Sequence, residues 1–144
     1  IQIPHLPGGA ARGVARYLLV DDSPTVRLTL AAAIRNARKG VADIQEAGDA
    51  ASALAAFNAH RPDVVFLDMM LPGDSGLQVL RRMLEANPGA KVVLVTGLAA
   101  DHPDVVQAIA GGAFGYLQKP TRTDAVRKVL NDVETEAGRF SRIR

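Results

Sequence analysis

The sequence predicts an α/β domain built around a parallel sheet that helices cover on both faces. From residue 17 to residue 137, short apolar runs alternate with segments in which apolar residues recur at helical spacing. Three of the runs, at residues 17–20, 64–67 and 92–95, are apolar throughout, which is typical of the inner strands of a parallel sheet. The chain has 144 residues, a length that fits one such domain.

Each strand–helix unit is bounded by residues that begin or end regular structure. The strands are predicted at residues 17–20, 41–47, 64–67, 92–95 and 115–118. Side chains that can cap a helix precede the first three helices, and these are Ser23 (before Pro24), Asp49, and Asp74 or Ser75. The helices are predicted to end at Gly40, before Arg61-Pro62, at Asn87-Pro88-Gly89, at Gly111-Gly112 and at Gly138.

The composition excludes several classes of protein. Hydrophobic residues make up 48% of the chain and charged residues 22%, and no apolar run approaches the roughly 18 residues that a bilayer span needs. We therefore expect no membrane contact, and the absence of cysteine agrees with a cytoplasmic location. The absence of cysteine excludes a disulfide framework and a thiolate metal site. The net charge is +2 and the basic residues are scattered, so the composition predicts no direct nucleic-acid binding.

The two ends of the chain are predicted to lie outside the folded domain. Residues 1–16 are rich in proline and glycine and have no sustained apolar period, so they are interpreted as a flexible arm, a linker or a remnant of expression. The folded domain is predicted at residues 17–138. Residues 139–144 contain three arginines and are interpreted as a short basic tail.

Polar residues follow the predicted strands at the point where each strand ends. Asp21 and Asp22 follow the first strand, Asp68 the third, Thr96 the fourth and Lys119 the fifth. Any one of them alone would be interpreted as a turn, cap or solvated residue. Because ligand sites of open parallel sheets lie at the carboxyl ends of the strands, we expect all five to converge. Their convergence favours a functional site.

The five residues have the chemistry of a metal-assisted phosphoryl acceptor. Neighbouring carboxylates repel one another, and a divalent cation relieves that repulsion. Oxygen ligands without histidine or cysteine favour Mg²⁺, or Mn²⁺, over zinc. The metal would neutralise an incoming phosphoryl group and help a carboxylate attack phosphorus. Lys119 would pair with one phosphoryl oxygen and Thr96 would donate a hydrogen bond to another. The predicted product is an aspartyl phosphate.

Four motifs at the strand ends resemble those of the response regulator receiver family of two-component signalling. They are LVDDS at residues 19–23, LDMMLP at 67–72, VTG at 95–97 and GYLQKP at 115–120. The resemblance covers about residues 17 to 137. It implies a flavodoxin-like (βα)5 fold with strand order 2-1-3-4-5. It also implies that a sensor histidine kinase or a phosphotransfer protein supplies the phosphoryl group.

The resemblance implies a role for each motif residue. Asp68 matches the phosphoacceptor, and Asp21 and Asp22 match the acidic pair that binds the metal with Asp68. Met70 would add its backbone carbonyl as a further metal ligand.

The resemblance also implies a switch. Thr96 and Lys119 match the pair that senses the phosphoryl group, and Tyr116 matches the aromatic residue that swings inward with the threonine. A cis peptide is implied between Lys119 and Pro120. The output surface would be formed by helix 4, strand 5 and helix 5, where a downstream protein, an attached output domain or a second phosphorylated copy would bind.

Two positions near this site, and Phe114 on the predicted output surface, vary within the resemblance. Met70 and Leu98 are apolar here, so neither can orient an attacking water, and we expect slow self-dephosphorylation. Phe114 stands where a polar residue is usual. It is interpreted as a solvent-facing partner contact, and packing against helix 4 is the alternative.

Three other functions compete with a phosphoacceptor. A phosphatase of the haloacid dehalogenase type needs an acidic residue where Met70 stands. A flavin or nucleotide binder needs a phosphate-binding loop after strand 1, where Asp21 and Asp22 would repel phosphate. A receiver-like module that binds partners without phosphorylation stays as the alternative. No enzymatic activity is expected beyond the domain's own phosphoryl transfer and slow dephosphorylation.

Overall fold

A computed structural model describes the backbone of residues 15–143 and the side chains of residues 15–135. The prediction of a flexible arm concerns mainly residues outside this range, and the side chains of the predicted basic tail also lie outside it. Within the described range, no helix is long and apolar enough to cross a membrane. The predicted domain limits stay a prediction.

Five strands alternate with five helices in the described part of the chain. The strands are β1 (Arg16–Val20), β2 (Asp43–Ala47), β3 (Val64–Leu67), β4 (Lys91–Thr96) and β5 (Gly115–Gln118). The helices are α1 (Pro24–Ala37), α2 (Ala50–His60), α3 (Gly76–Ala86), α4 (Pro103–Ala110) and α5 (Thr123–Ile143). All strand pairs are parallel and the order is β2-β1-β3-β4-β5, which confirms the predicted fold class.

The core lies in two apolar layers, one on each face of the sheet. Alternate residues of β1, β3 and β4 point to opposite faces, and all of those in β3 are buried. On one face they meet the buried residues of α2, α3 and α4, with Phe57 and Leu80 among them. On the other face they meet α1 and α5, with Ile34 and Leu130 among them. This double cover explains why the inner strands are apolar throughout.

The predicted helix caps are confirmed. The Ser23 hydroxyl accepts a hydrogen bond from the Val26 amide at 3.3 Å, with Pro24 in the first turn of α1. The Asp49 carboxylate accepts one from the Ser52 amide at 2.7 Å. Ser75, the second of the two candidates, caps α3. These caps satisfy amide groups that have no partner inside the helix, and those of α1 and α2 fix the chain shortly after β1 and β2.

Several predicted boundaries differ from the structure. The second strand begins at Asp43 and not at residue 41, and the fourth is one residue longer at each end. The last helix does not end at Gly138 but continues to Ile143, because a glycine inside a helix costs only about 1 kcal/mol and no proline follows it. The first strand begins at Arg16, one residue inside the predicted arm. The Arg16 amide donates to the Asp63 carboxylate at 2.8 Å, which holds the strand start in place.

Of the two predictions for Phe114, packing against helix 4 is wrong, and a partner contact stays a prediction. The ring is half-buried and packs with the layer that α1 and α5 cover, whereas the buried residues of α4 belong to the opposite layer. Phe114 precedes β5, so strand alternation does not decide which face it takes. The Lys91 ammonium lies 5.9 Å from the ring centroid and covers its outer side.

Candidate functional site

The sheet places the predicted site residues by extending its hydrogen bonds one residue past the strand ends. The Asp21 amide donates to the Ala47 carbonyl at 3.0 Å. The Asp68 amide donates to the Val20 carbonyl at 2.9 Å. The Lys119 amide donates to the Thr96 carbonyl at 2.8 Å. Because these residues sit in the ladder itself, their side chains emerge from a rigid edge.

Three carboxylates converge at this edge. Asp21, Asp22 and Asp68 each offer one oxygen atom, and these oxygens all lie within 4.8 Å of one another. Asp21 is 1% exposed and Asp68 is 5% exposed, whereas Asp22 faces solvent. The structure therefore brings together the acidic residues that the sequence predicted for the metal.

Lys119 lies between the two buried carboxylates. Its Nζ is 3.1 Å from Asp68 Oδ2, to which it donates a hydrogen bond, and 2.7 Å from Asp21 Oδ2. The contact with Asp21 is a close ion pair to a buried carboxylate oxygen. The other oxygen of each carboxylate accepts from a backbone amide: Asp68 Oδ1 accepts from the Met70 amide at 3.1 Å, and Asp21 Oδ1 accepts from the Ser23 amide at 2.9 Å.

The burial of this cluster shifts two pKa values. Burial raises the pKa of Asp68, and the negative charge of Asp21 adds to that rise, although the Met70 amide and the Lys119 ammonium oppose it. For Lys119, burial alone would lower the pKa. The two neighbouring carboxylates outweigh the burial, so the pKa of Lys119 is raised and the side chain stays charged.

The residues present fit a hard divalent cation. The donors are oxygens, with neither histidine nor cysteine in the cluster, which suits Mg²⁺ or Mn²⁺. Asp21 Oδ2 is buried and already faces positive charge, because the Lys119 ammonium lies 2.7 Å away. The Met70 amide is bonded to Asp68 Oδ1, so the Met70 peptide adjoins the cluster, while its side chain is 63% exposed.

Thr96 and Tyr116 are joined through the peptide groups of Leu98. Thr96 is fully buried, and its Oγ1 accepts from the Leu98 amide at 3.3 Å. The Tyr116 hydroxyl donates to the Leu98 carbonyl. Burial raises the pKa of Tyr116, and the charge of Asp101 adds to the effect, so the hydroxyl keeps the proton that it donates. The half-buried Tyr116 ring packs against the layer of α2, α3 and α4.

Pro120 follows Lys119 through a cis peptide bond, as the resemblance implied. The cis bond lies directly after the residue that contacts both buried carboxylates.

Gly76 is a site residue that sequence reasoning missed. A Cβ atom at this position would lie 2.4 Å from the Met69 Cα and 2.6 Å from the Asp68 carbonyl oxygen. The Gly76 amide also donates to the Met69 carbonyl at 2.9 Å. The start of α3 therefore packs directly on the backbone that carries Asp68, and only glycine permits that approach. A glycine at the first position of a helix, where other residues serve better, was the available signal.

The fold and this site together are those of a phosphoryl-accepting receiver domain. The family profile described as "Response regulator receiver domain" matches residues 17–131. The chain therefore belongs to the response regulator receiver domain family of two-component signalling, and the sequence-based assignment is confirmed.

Relatives and solved structures agree with this membership. The chain is 40% identical over 109 residues to the probable transcriptional regulatory protein TcrX of Mycobacterium tuberculosis, covering 76% of this chain and 45% of TcrX. It is 36% identical over 118 residues to a protein-glutamate methylesterase/protein-glutamine glutaminase of Anaeromyxobacter dehalogenans, covering 82% of this chain and 32% of that protein. The crystal structure of the receiver domain of NtrX from Brucella abortus superposes with a TM-score of 0.73 at 33% identity, covering 81% of this chain and 96% of that one.

The chain spans less than half the length of these two sequence relatives. Their names describe different activities, because one is a probable transcriptional regulatory protein and the other a methylesterase/glutaminase. The receiver family is not itself a catalytic family, so what the relatives share with this chain is the receiver.

Proposed function

We propose that this domain accepts a phosphoryl group on Asp68 from a sensor histidine kinase or a phosphotransfer protein. The observation that carries the proposal is the position of Lys119 Nζ, within 3.1 Å of Asp68 and 2.7 Å of Asp21 in a cluster of three carboxylates. Burying such charges costs free energy of folding. Their convergence in a sheet-edge site, with a raised pKa at Asp68, supports a chemical role.

The residues of the chain have defined parts in the transfer. One carboxylate oxygen of Asp68 attacks the phosphorus atom, and the P–N bond to the donor imidazole breaks. The imidazole nitrogen keeps the electron pair of that bond and then takes a proton from water. Lys119 exchanges part of its contact with the carboxylates for a phosphoryl oxygen. The Thr96 hydroxyl donates a hydrogen bond to another phosphoryl oxygen. It can do so because its bond with the Leu98 amide uses the hydroxyl oxygen only as an acceptor.

Mg²⁺, or Mn²⁺ in its place, is the cation that this site takes. Asp21, Asp22 and Asp68 would hold it with the backbone carbonyl of Met70. When bound, the cation offsets the negative charge of the carboxylates and of the phosphoryl oxygens. The three converging carboxylate oxygens, with neither histidine nor cysteine among the donors, support this assignment.

Phosphorylation of Asp68 changes the packing of Tyr116 through Thr96. If the Thr96 hydroxyl turns toward a phosphoryl oxygen, its bond with the Leu98 amide changes, and the Leu98 carbonyl holds the Tyr116 hydroxyl. The packing of Tyr116 then biases the face formed by α4, β5 and α5 between two arrangements. A downstream protein, an attached output domain or a second phosphorylated copy binds there. This segment contacts neither nucleic acid nor membrane directly, and it works in the cytoplasm.

The phosphorylated form decays slowly. Met70 and Leu98 flank the site with apolar side chains that cannot orient a hydrolytic water. Self-phosphorylation and this slow loss are the only chemistry that we assign to the domain.

Acetyl phosphate with Mg²⁺ tests the proposal, because it supplies the phosphoryl group without a kinase. Intact-mass spectrometry should find one hydroxylamine-sensitive phosphoryl group on the wild type and none on Asp68→Ala. Asp63→Ala is the matched control, because Asp63 and Asp68 flank the same strand, and it should be phosphorylated like the wild type. Equal labelling of Asp68→Ala would show that another residue is the acceptor.

A further inference from the structure

The guanidinium of Arg27 lies beside the acidic cluster and is mostly buried. Its hydrogen bonds do not go to the carboxylates of that cluster. Arg27 lies on α1, and its side chain is 19% exposed. Its Nε donates to Glu46 Oε1, on β2, at 2.8 Å, and its Nη1 donates to the backbone carbonyl of Asp21. One side chain thus joins α1, the end of β2 and the turn after β1.

The contact with Asp21 is placed where it fixes the acidic pair. The Asp21 amide is already bonded to the Ala47 carbonyl at 3.0 Å. With Arg27 on the Asp21 carbonyl, both polar groups of the Asp21 backbone have partners, and the peptide that leads to Asp22 is held in one orientation. Of these two partners, Ala47 ends β2, and Arg27 is paired with Glu46 of the same strand. The directions of the Asp21 and Asp22 side chains therefore depend on this tie.

Gly48 lies next to the guanidinium. A Cβ atom added at Gly48 would lie 3.4 Å from Arg27 Nη1 and 3.9 Å from the Asp21 carbonyl oxygen. Arg27 is also charge-compensated by Glu46. The pair adds no net charge beside the carboxylates, so it does not repel a cation as a free arginine would.

We propose that Arg27 is a positioning residue for the metal-binding acids, and that its tie to the Asp21 carbonyl sets the affinity of the site for Mg²⁺. This inference rests on the proposed function of the acidic cluster. Partners that orient metal ligands typically contribute 10–100-fold to metal affinity. Arg27 would do so from α1, through the backbone and not through a carboxylate.

Mg²⁺ titration of the metal-free chain, followed by the chemical shifts of backbone amides, tests the inference without measuring phosphorylation. The test variant is Arg27→Gln combined with Glu46→Gln, which removes the tie and keeps the net charge of the pair at zero. We expect its Kd for Mg²⁺ to rise about tenfold. Arg27→Lys keeps the charge but loses the two-pronged geometry, and its Kd should rise by a smaller factor.

Arg38→Gln is the matched control. Arg38 is also a part-buried guanidinium next to α1, and it bonds to a backbone carbonyl (Leu130) and pairs with a glutamate (Glu134), but it follows the opposite end of the helix. Its loss should lower the melting temperature and leave the Kd for Mg²⁺ unchanged.

The outcomes separate the inference from the proposed function. An unchanged or tighter Kd in the double variant, whatever its melting temperature, would overturn the role of Arg27. A Kd that rises equally in Arg38→Gln would overturn it too, because the effect would then follow from general destabilisation. If the double variant does not fold, the Kd of Arg27→Lys decides by the same criteria. If the wild type shows no Mg²⁺-dependent shifts, the metal site itself is wrong.

Discussion

The two edges of the sheet use the same residue types in opposite ways, and β3 allows a direct comparison. Asp63 precedes this strand at the amino edge and Asp68 follows it at the carboxyl edge. Asp63 is exposed and accepts a hydrogen bond from the Arg16 amide at 2.8 Å. Asp68 is 5% exposed and lies with Asp21 and Lys119. The difference shows that position on the sheet, and not residue type, decides whether a carboxylate is exposed or buried within a cluster of charged groups.

The buried polar side chains, which cost free energy of folding, lie at the carboxyl edge. Among the side chains that the structure describes, the buried polar ones are Asp21, Asp68 and Thr96, and all three follow or end a strand there. At the amino edge, water screens the charges, and such exposed pairs contribute little to stability. Substitutions at the carboxyl edge should therefore change chemistry, while their counterparts at the amino edge should change at most stability.

The largest difference between the edges is expected for the two lysines. Lys119→Met should lower the rate of phosphorylation by acetyl phosphate about 100-fold, because it removes a preplaced donor for the phosphoryl oxygens. Lys91 stands at the start of β4 and covers the Phe114 ring. Lys91→Met should leave the rate within about twofold of the wild type, as is usual for substitutions remote from a site. Rates followed by intact mass at saturating Mg²⁺ give the comparison, and equal rates in the two variants would contradict it.

Two glycines extend the comparison to stability. Gly76→Ala should lower the free energy of unfolding by about 2–3 kcal/mol, because the added methyl group would overlap the Met69 and Asp68 backbone. Gly89 lies before β4 at the amino edge, where an added Cβ would come no closer than 3.5 Å to Asn87 Oδ1. Gly89→Ala should change the free energy by less than about 0.5 kcal/mol. Denaturant unfolding measures both, and a Gly76→Ala protein as stable as the wild type would exclude the close contact.

The parts of this site that depend on strand ends were predictable from the sequence. The apolar character of β1, β3 and β4 determines a parallel sheet, and a parallel sheet gathers whatever follows its strands. Asp21, Asp68 and Lys119 were therefore predictable as neighbours, and the family motifs added the strand order. The caps of α1 and α2 were predictable because a side chain and an amide three residues apart suffice for them.

The parts that depend on backbone contacts between distant segments were not predictable. Gly76 and Arg27 act on carbonyl groups and main-chain atoms of the acidic segments, and no residue pattern records such contacts. The link from Thr96 to Tyr116 likewise runs through the peptide of Leu98. Phe114 was misplaced because it precedes its strand, and the end of α5 because one glycine is too weak a signal to end a helix.

The pH dependence of stability offers a third contrast between the edges. Burial, with the charge of Asp21, raises the pKa of Asp68 above its ordinary value. A carboxyl group with a higher pKa in the folded state binds more protons when folded, so metal-free stability should fall as pH rises from about 4 through the raised value. Above it the penalty is fully present, and Asp68→Asn should then melt at a higher temperature than the wild type.

The same substitution at the amino edge should lack this effect. Asp63→Asn removes an exposed carboxylate that bonds to the Arg16 amide, so it should melt at the same temperature as the wild type or slightly lower. Thermal scans in chelator at pH 4 and pH 7 compare the two variants. If Asp68→Asn raised the melting temperature more at pH 4 than at pH 7, the sign of the pH dependence would be the opposite of the one expected.

The smallest expected effect concerns the lifetime of the phosphorylated form. Met70→Asn and Leu98→Glu each place a polar side chain where it can orient a hydrolytic water, so each should speed dephosphorylation, by at most about tenfold because orienting a water contributes less than a positioned general base. Val41→Asn, at an exposed apolar position next to the amino edge, is the control and should leave the lifetime unchanged. The decay of the phosphorylated mass after removal of acetyl phosphate measures all three. If phosphorylated wild type decayed as fast as the Met70→Asn and Leu98→Glu proteins, a group other than these two side chains would orient the water. The carboxyl edge would then contain a hydrolytic group that neither its sequence nor its hydrogen bonds indicate.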